Sequence, residues 1–570
     1  MGCPFWEKKM NEETQGFYKK VLSLTGIHFI AGMAYRRYLY HYDEEATQYY
    51  NLPRRVRETF LSGYEKQISM CISSLIGIVL IFAIWYILIK AVKEKRKGVF
   101  VILLISILSG ALLYPNCFGI ETDTFEMYGM AVRDIPHYWH SVYSTCIYNA
   151  GLLVYPQPVI LPILQISALL GTLYYLALRL KKLFGKYAFF LPWVLLLFPG
   201  MLQIAVSTYR NCINTIMCMA FFSLVFCDAV EKKKRTGPEL AILCACAAFL
   251  TVYRSEQIFL LLIFAAALWF VYEARGKKIG MYALIMLLAC VIFILPQKQG
   301  EKVYYGKDYS IINQLDTLSM LFREKDLDLN YDKAKEDLQA LEAIVPVEKI
   351  KNSGLSGYRG HVYTQNGSIN QSFADKESQT AFIKASRSII LHNIPLYLKA
   401  RIQTFFTACG LQSEREINMT DEINAVYDSY GVSVTLAQKQ MYEDTWLRDL
   451  LWTNEKTDTV GKVMDLYESL QDWIERNGIL LTLRAIVFLV FAVIVYTLCK
   501  ERIFGKEKGF WLAALLFFYA QLAGIFLMCP EGRKVYYYPL FFTMLIGNVV
   551  LILYYLNHKP AGKEKKEKSE

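Results

Sequence analysis

Apolar runs recur along the chain from residue 68 to residue 556, and most are closed on one side by a short cluster of Lys and Arg. A run of about 20 apolar residues matches the ~30 Å hydrocarbon core of a bilayer. In lipid, such a segment satisfies its own backbone groups only as a helix or inside a closed barrel, and runs of this length are helical rather than strand-like. With 54% apolar residues among 570, the chain reads as an all-α integral membrane protein.

Eleven runs are clear: about 68–92, 99–114, 158–180, 187–205, 208–230, 238–253, 256–273, 279–296, 478–499, 510–529 and 536–556. A shorter one, VLSLTGIHFIAGMAY at 21–35, is closed early by Arg36 and Arg37. The clusters KAVKEKRKG, RLKKLFGK, EKKKR and EARGKK follow alternate runs, as expected of cytoplasmic turns under the positive-inside rule. The tail KPAGKEKKEKSE and the Lys-rich N-terminal stretch are both assigned to the cytoplasm, which requires an even number of crossings. The expectation is 11–12 transmembrane helices, with twelve favoured if 21–40 also crosses. The net charge of +11 is spent in these turns and forms no basic face for nucleic acid.

This topology divides the chain into an N-terminal region (1–67), a membrane core (68–296), a mainly helical extracytoplasmic domain (297–477), C-terminal spans (478–557) and a basic cytoplasmic tail (558–570). The loop at 115–156 falls on the outer side. Within it, 122–133 is expected to form a short juxtamembrane helix with Phe125, Met127, Tyr128 and Val132 available to lie on the bilayer. Residues 139–154 form a second, amphipathic piece stopped by Pro156 and Pro158. In the large outer domain, 326–344 carries Leu338, Leu341 and Ile344 at helical spacing. Residues 351–372 read as loop or short hairpin, and 386–410 as helices packing on the membrane face or on the rest of the domain. The 13 cysteines are scattered, without paired spacing, and read as small buried hydrophobes, although Cys117 and Cys529 fall near the same outer edge, where a pair is conceivable.

The ionisable groups at the outer edge are few. They are Glu121, Asp123, Glu126, Asp134, His137 and His140 in the first loop, Arg210, Arg254 with Glu256, and Glu531, Arg533 and Lys534 at the last outer turn. Acid and imidazole groups at a membrane edge need water or a partner. Arg presents a planar fork to phosphate oxygens, and a carboxylate beside a hydroxyl serves as a general base. Each residue also has a plainer role open to it. Arg210 and Arg254 stand at span ends where basic side chains snorkel, and His140 beside Trp139 suits an interfacial aromatic belt, as do Tyr536 to Tyr538. Asp123 suits a helix N-cap. Arg484 lies within a run and needs a partner or a cavity. No P-loop, HExxH, GxSxG or dinucleotide fingerprint is present.

Four segments resemble the bacterial multi-pass glycosyltransferases of the GT-C superfamily, the group that includes protein O-mannosyltransferases and aminoarabinose transferases. GIETDTFEMYGMA, with Asp123 and Thr124, is similar to the acidic first-loop motif. YWHSVYST, with Trp139 and His140, resembles the second juxtamembrane element. VYRSEQIFLLL, with Arg254 and Glu256, resembles an Arg-x-Glu-Gly type turn, and PEGRKVYYYPLFF, with Arg533, an Arg-Tyr-x-x-Pro turn. The chain departs from the family pattern at Ser141, at Arg210–Asn211 and at Gln257. The resemblance implies a polyprenyl-phosphate or polyprenyl-diphosphate sugar as donor and an extracytoplasmic acceptor in cell-envelope glycan, lipid or protein. It implies catalytic roles for Asp123, Glu121 and His140, donor-phosphate contacts from Arg254, Arg533 and Arg210, and substrate contacts from Glu126, Glu256 and Trp139.

The reaction it implies is inverting. Asp123 takes the acceptor proton while the arginines stabilise the departing phosphate. No cofactor is specified. The acids leave a divalent metal open, though their spacing is no metal signature. A polymerase of lipid-linked repeats competes within the same architecture. A lipid-linked-glycan flippase or other transporter competes from outside it, but would place polar groups at mid-membrane.

Overall fold

The computed structural model describes residues 12–39, 64–117, 127, 131, 134, 136, 141–198, 200–304, 308–353, 376–408, 462, 466, 469, 473, 479–528 and 536–558. Among the described residues the regular structure is entirely helical. Among these residues six helices are long and apolar enough to cross a membrane: 67–93, 160–184, 210–231, 277–298, 508–527 and 538–558. Six shorter apolar helical stretches accompany them, at 97–112, 142–154, 186–197, 237–253, 259–270 and 485–500. Many Leu, Ile and Val side chains on these helices face outward, a surface suited to lipid rather than to water. The chain divides into two compact units, one comprising residues 1–171 and 205–210 and the other 172–204 and 211–570.

In the first unit, α1 (Glu12–Leu39) and α2 (Tyr64–Lys93) pair antiparallel. The Phe17 and Tyr18 rings meet Tyr86 near one end, and Met33 and Arg36 share a small cavity wall with Met70 and Ser73 near the other. At 1.5 Å per residue α1 is about 42 Å long, far beyond the 15-residue run visible in its sequence. Lys19, Lys20, His28, Arg36 and Arg37 keep its hydropathy low, and two of these are satisfied internally. Trp85 Nε1 donates to His28 Nδ1 at 3.2 Å, which leaves Nε2 as the donor to Val154 O at 2.7 Å. Arg36 is buried against Asp134.

Helix α3 (Lys97–Cys117) packs on α2, and α4 (Val142–Val154) wedges between α1 and α2. The sequence pattern suggests an amphipathic α4, yet nearly all of its residues are buried. Its fit depends on two glycines: a β-carbon on Gly32 would collide with the Leu153 backbone, and one on Gly77 would lie 2.8 Å from the Leu153 side chain. Ser141 caps the start of α4, accepting from Tyr143 N at 3.4 Å.

Helix α5 (Ile160–Phe184) passes from the first unit into the second. The run at 187–205, expected as one span, is broken instead into short turns at Lys186–Phe190, Leu191–Val194 and Leu195–Leu197, followed by α6 (Met201–Val206). Pro192 starts one of these turns, and Gly200 has a φ of +84°, a left-handed conformation that favours glycine and ends a helix.

The second unit continues with α7 (Arg210–Glu231), α8 (Gly237–Tyr253), α9 (Phe259–Phe270) and α10 (Lys277–Tyr304). Helix α8 opens with a capping box, Glu239 accepting from Thr236 N at 2.8 Å. It packs on α10 and α9. Next come the five helices of the outer block predicted from sequence: α11 (Asp308–Leu321), α12 (Ala334–Glu342), α13 (Val347–Ser353), α14 (Lys376–His392) and α15 (Ile394–Ala408). Their own core gathers Ile311, Leu315, Leu318, Leu341, Ile344, Phe382 and Ile389. The helix expected over 326–344 begins only at Ala334, but its Leu341 and Ile344 do point into this core. The chain ends with α16 (Ile479–Lys500), α17 (Lys508–Met528) and α18 (Tyr538–His558). An aromatic seam, in which Phe222 and Phe226 of α7 meet Trp511 and Phe518 of α17, holds the helices together.

Candidate functional site

Residues Glu121, Asp123, Glu126, His137, Trp139, His140, Glu531, Arg533 and Lys534 lie outside the described residues, as do the side chains of Cys117 and Arg484 and all of Cys529. Arg210, Arg254, Glu256 and Asp134 are described. Arg210 and Asp134 belong to the first unit, Arg254 and Glu256 to the second.

Asp134 is not an exposed acid. It is 3% exposed, has a φ of +59°, and its Oδ1 accepts from Arg36 Nη2 at 2.6 Å and from Asn149 Nδ2 at 2.5 Å. Arg36 also donates to Ala131 O at 3.2 Å. A carboxylate held by a guanidinium and an amide in a buried position organises the chain around it; it is poorly placed to accept a substrate proton. Met127 and Ala131 are fully buried, so Met127 does not rest on a bilayer surface. The small cavity beside Asp134 is lined also by Met33, Ser73 and Leu153, and has room for about one water.

Arg254 closes α8. Its backbone N–H bonds Leu250 O at 3.3 Å, and the chain then makes a single 3-10 turn, Ser255–Gln257. The side chain is 6% exposed, so it does not snorkel. Its Nη2 donates to Glu256 Oε1 at 2.7 Å, and the guanidinium lies 5.4 Å from the centre of the Tyr536 ring. Its Nη1 is buried with no hydrogen-bond partner among the described residues. The turn is held from α17: Gln521 Nε2 donates to Gln257 Oε1 at 2.8 Å, while Gln521 Oε1 is buried and lacks a partner among the described residues. Tyr536, Tyr537 and Tyr538 are all buried and form no interfacial belt. Arg210, at the start of α7, is 9% exposed and likewise reaches no surface.

The other end of α8 carries a second polar cluster. Asp228 is fully buried, and accepts from Arg235 Nε at 2.7 Å and Nη2 at 3.0 Å, from Arg179 Nη2 at 3.1 Å and from the Tyr272 hydroxyl at 3.0 Å. Arg179 also pairs with Glu231 at 2.7 Å, and Arg235 with Glu239 at 3.1 Å. Nearby on the same unit, Glu507 accepts from the Tyr554 hydroxyl at 3.2 Å and pairs with Lys232 at 3.6 Å.

Of the expected site residues, the structure brings together Arg254 and Glu256. The Gln257–Gln521 contact, the Asp134–Arg36 pair and the Asp228 hub were not anticipated. The available signal was a polar residue inside an apolar helix, which Asn149, Asp228 and Gln521 all are; Arg36 lies in the less apolar α1. Among the described residues, no three His, Cys, Asp or Glu side chains are grouped to hold a metal ion. Compared with known proteins, the chain matches no family model, no curated protein and no solved structure.

Proposed function

We propose that the protein is a membrane glycosyltransferase that moves a sugar from a polyprenyl-phosphate or polyprenyl-diphosphate donor to an extracytoplasmic acceptor. The observation that carries this reading is Arg254. It is a guanidinium withdrawn from solvent and paired with the partly exposed Glu256, with a terminal nitrogen buried and without a hydrogen-bond partner among the described residues. A buried cationic donor of this kind is complementary to a phosphate oxygen.

In this reading α1 counts as a twelfth crossing, with the broken 186–206 stretch still taken as one of the other eleven. Helix α1 runs antiparallel to α2 along its length, and its Arg36 meets Asp134 of the first outer loop. The Arg254 end of α8 is then extracytoplasmic, because the basic cluster 232–235 precedes α8 and no such cluster follows it. From the resemblance alone, Asp123 takes the acceptor hydroxyl proton as the oxygen attacks the anomeric carbon. The bond to the lipid phosphate breaks with its electrons going to the phosphate, whose growing charge Arg254 and Arg533 stabilise. The likeness of the 115–145 and 250–260 segments to GT-C enzymes supports these roles.

The test is incubation of membranes holding wild type or Asp123→Asn protein with labelled polyprenyl-phosphate sugars. Transfer from donor by wild type and its near-abolition in the variant, at equal membrane insertion, supports the assignment. Full activity in the purified variant removes Asp123 from the mechanism. A ladder of growing products identifies a polymerase, and label crossing the bilayer without transfer identifies a transporter.

A further inference from the structure

Helix α15 belongs to the block that the sequence places outside the bilayer, yet it is bound to the end of an apolar span. The α17 segment 508–527 is long and apolar enough to cross a membrane, and its last turn leaves carbonyls that no helical N–H can reach. Helix α15 supplies the donors. Tyr397 OH donates to Leu527 O at 3.0 Å, and the nearly fully buried Arg401 donates through Nε to Phe526 O at 2.9 Å. One turn further on, the Phe405 ring meets Phe526 at 5.7 Å between centres. Positions 397, 401 and 405 thus form one face of α15, seated on the terminal turn of α17.

The adjacent face is apolar and uncovered among the described residues. Ile394, Leu398, Ile402 and Phe406 follow each other at four-residue intervals, each between 40% and 47% exposed, with the more exposed Leu391 just before them on α14. Four residues advance a helix by 400°, so these side chains form a stripe only slightly inclined to the axis. The opposite side of α15 faces the block's own core, where Ala400 is buried and Thr404 reaches Met320. The stripe is therefore neither part of the core nor part of the contact with α17. It is continuous with a lipid-type surface, because α17 itself exposes Leu512, Leu516 and, at the turn α15 touches, Leu527.

We infer that α15 is an interfacial helix whose Ile394–Leu398–Ile402–Phe406 stripe is immersed in the phospholipid layer around the end of α17. An amphipathic helix of this kind lies in the headgroup and upper acyl region, apolar face down. Here its depth is fixed from the protein side by the Tyr397 and Arg401 bonds to the last carbonyls of the span. The block comprising α11 to α15 is thereby held flat on the membrane and not free above it.

The experiment places the photoreactive residue p-benzoylphenylalanine singly at Leu398, Ile402, Lys399 or Leu516 of the full chain in phosphatidylethanolamine–phosphatidylglycerol vesicles. Adducts are identified by mass after irradiation. Roughly tenfold more phospholipid adduct at 398 and 402 than at 399 is expected, with Leu516, midway along α17, as the lipid-exposed reference. Adducts from 398 and 402 to a second copy or to another segment of this chain overturn the inference. So does the absence of lipid adducts there while Leu516 gives them. Absence at all positions overturns the inference together with the placement of α17 in lipid.

Discussion

The two ends of α8 carry arginines in opposite circumstances. At the N-terminal end, Arg235 and Arg179 converge on Asp228, and every oxygen and nitrogen of this hub that the structure describes has a partner; further carboxylates from Glu231 and Glu239 finish the pairing. At the C-terminal end, Arg254 has one partner in the adjacent Glu256, a ring at its face and a nitrogen with no partner among the described residues. Both sites remove charge from solvent, and doing so is expensive unless geometry repays it. The first spends its donors on the protein and serves as architecture. The second keeps a donor in reserve, the electrostatic condition for receiving an anion.

The comparison breaks most sharply at Asp228. Asp228→Leu leaves two part-buried guanidinium groups without their shared acceptor, though each keeps a glutamate, and is expected to destabilise the protein by about 3 kcal/mol, read as a fall in the thermal midpoint in detergent or nanodiscs. A variant as stable as wild type removes the architectural role. Next in size, Arg254→Ala is expected to lower donor-dependent transfer by about 100-fold or more while changing stability by about 1 kcal/mol. Arg254→Lys, which keeps the charge and loses the fork, should recover only part of the activity. If Arg254→Ala melts as early as the Asp228 variant, the two ends do not differ in the way described.

The smallest effect lies in the α11–α15 block, where a fully partnered group can be followed by pH. Tyr331 donates to Asp337 Oδ2 at 2.9 Å and stacks on His392 at 3.8 Å. Burial first, and then the bond to Asp337, push its phenol up to about 12. The folded chain therefore keeps a proton that the unfolded chain, with an ordinary tyrosine near 10, has released. The stabilisation is complete below about pH 10 and declines as pH rises towards 12. Unfolding of wild type and Tyr331→Phe across that window should show a steeper loss in wild type, and equal slopes would sink this account.

Helix ends were legible where an apolar run ended in Lys or Arg, as at 184, 231 and 500, because composition alone decides such ends. The length of α1 was not, since Arg36 and His28 look like stop signals until Asp134 and Val154 are known to receive them. Pro192 and Gly200 break a run whose hydropathy is uninterrupted. In the candidate site, Arg254 and Glu256 were legible because their pairing is local. The support from Gln521, 264 positions away from Gln257, exists only once α17 packs beside the turn. Tyr536 to Tyr538 were misread for a related reason: aromatic residues at a span end suit a lipid interface or a protein interior equally well, and neighbouring helices make the choice.

The glycines at 32 and 77 have a reach longer than their own contacts. Leu153 sits against both, so the separation of α1 and α2 sets the seat of α4. Helix α4 in turn carries Asn149, which grips Asp134 in the segment that also contains Asp123. The seat of Asp134 is therefore inherited from a packing gauge between two helices: a methyl group at Gly32 would strike the Leu153 carbonyl, one at Gly77 the Leu153 side chain, and either would shift the Asn149 that holds Asp134.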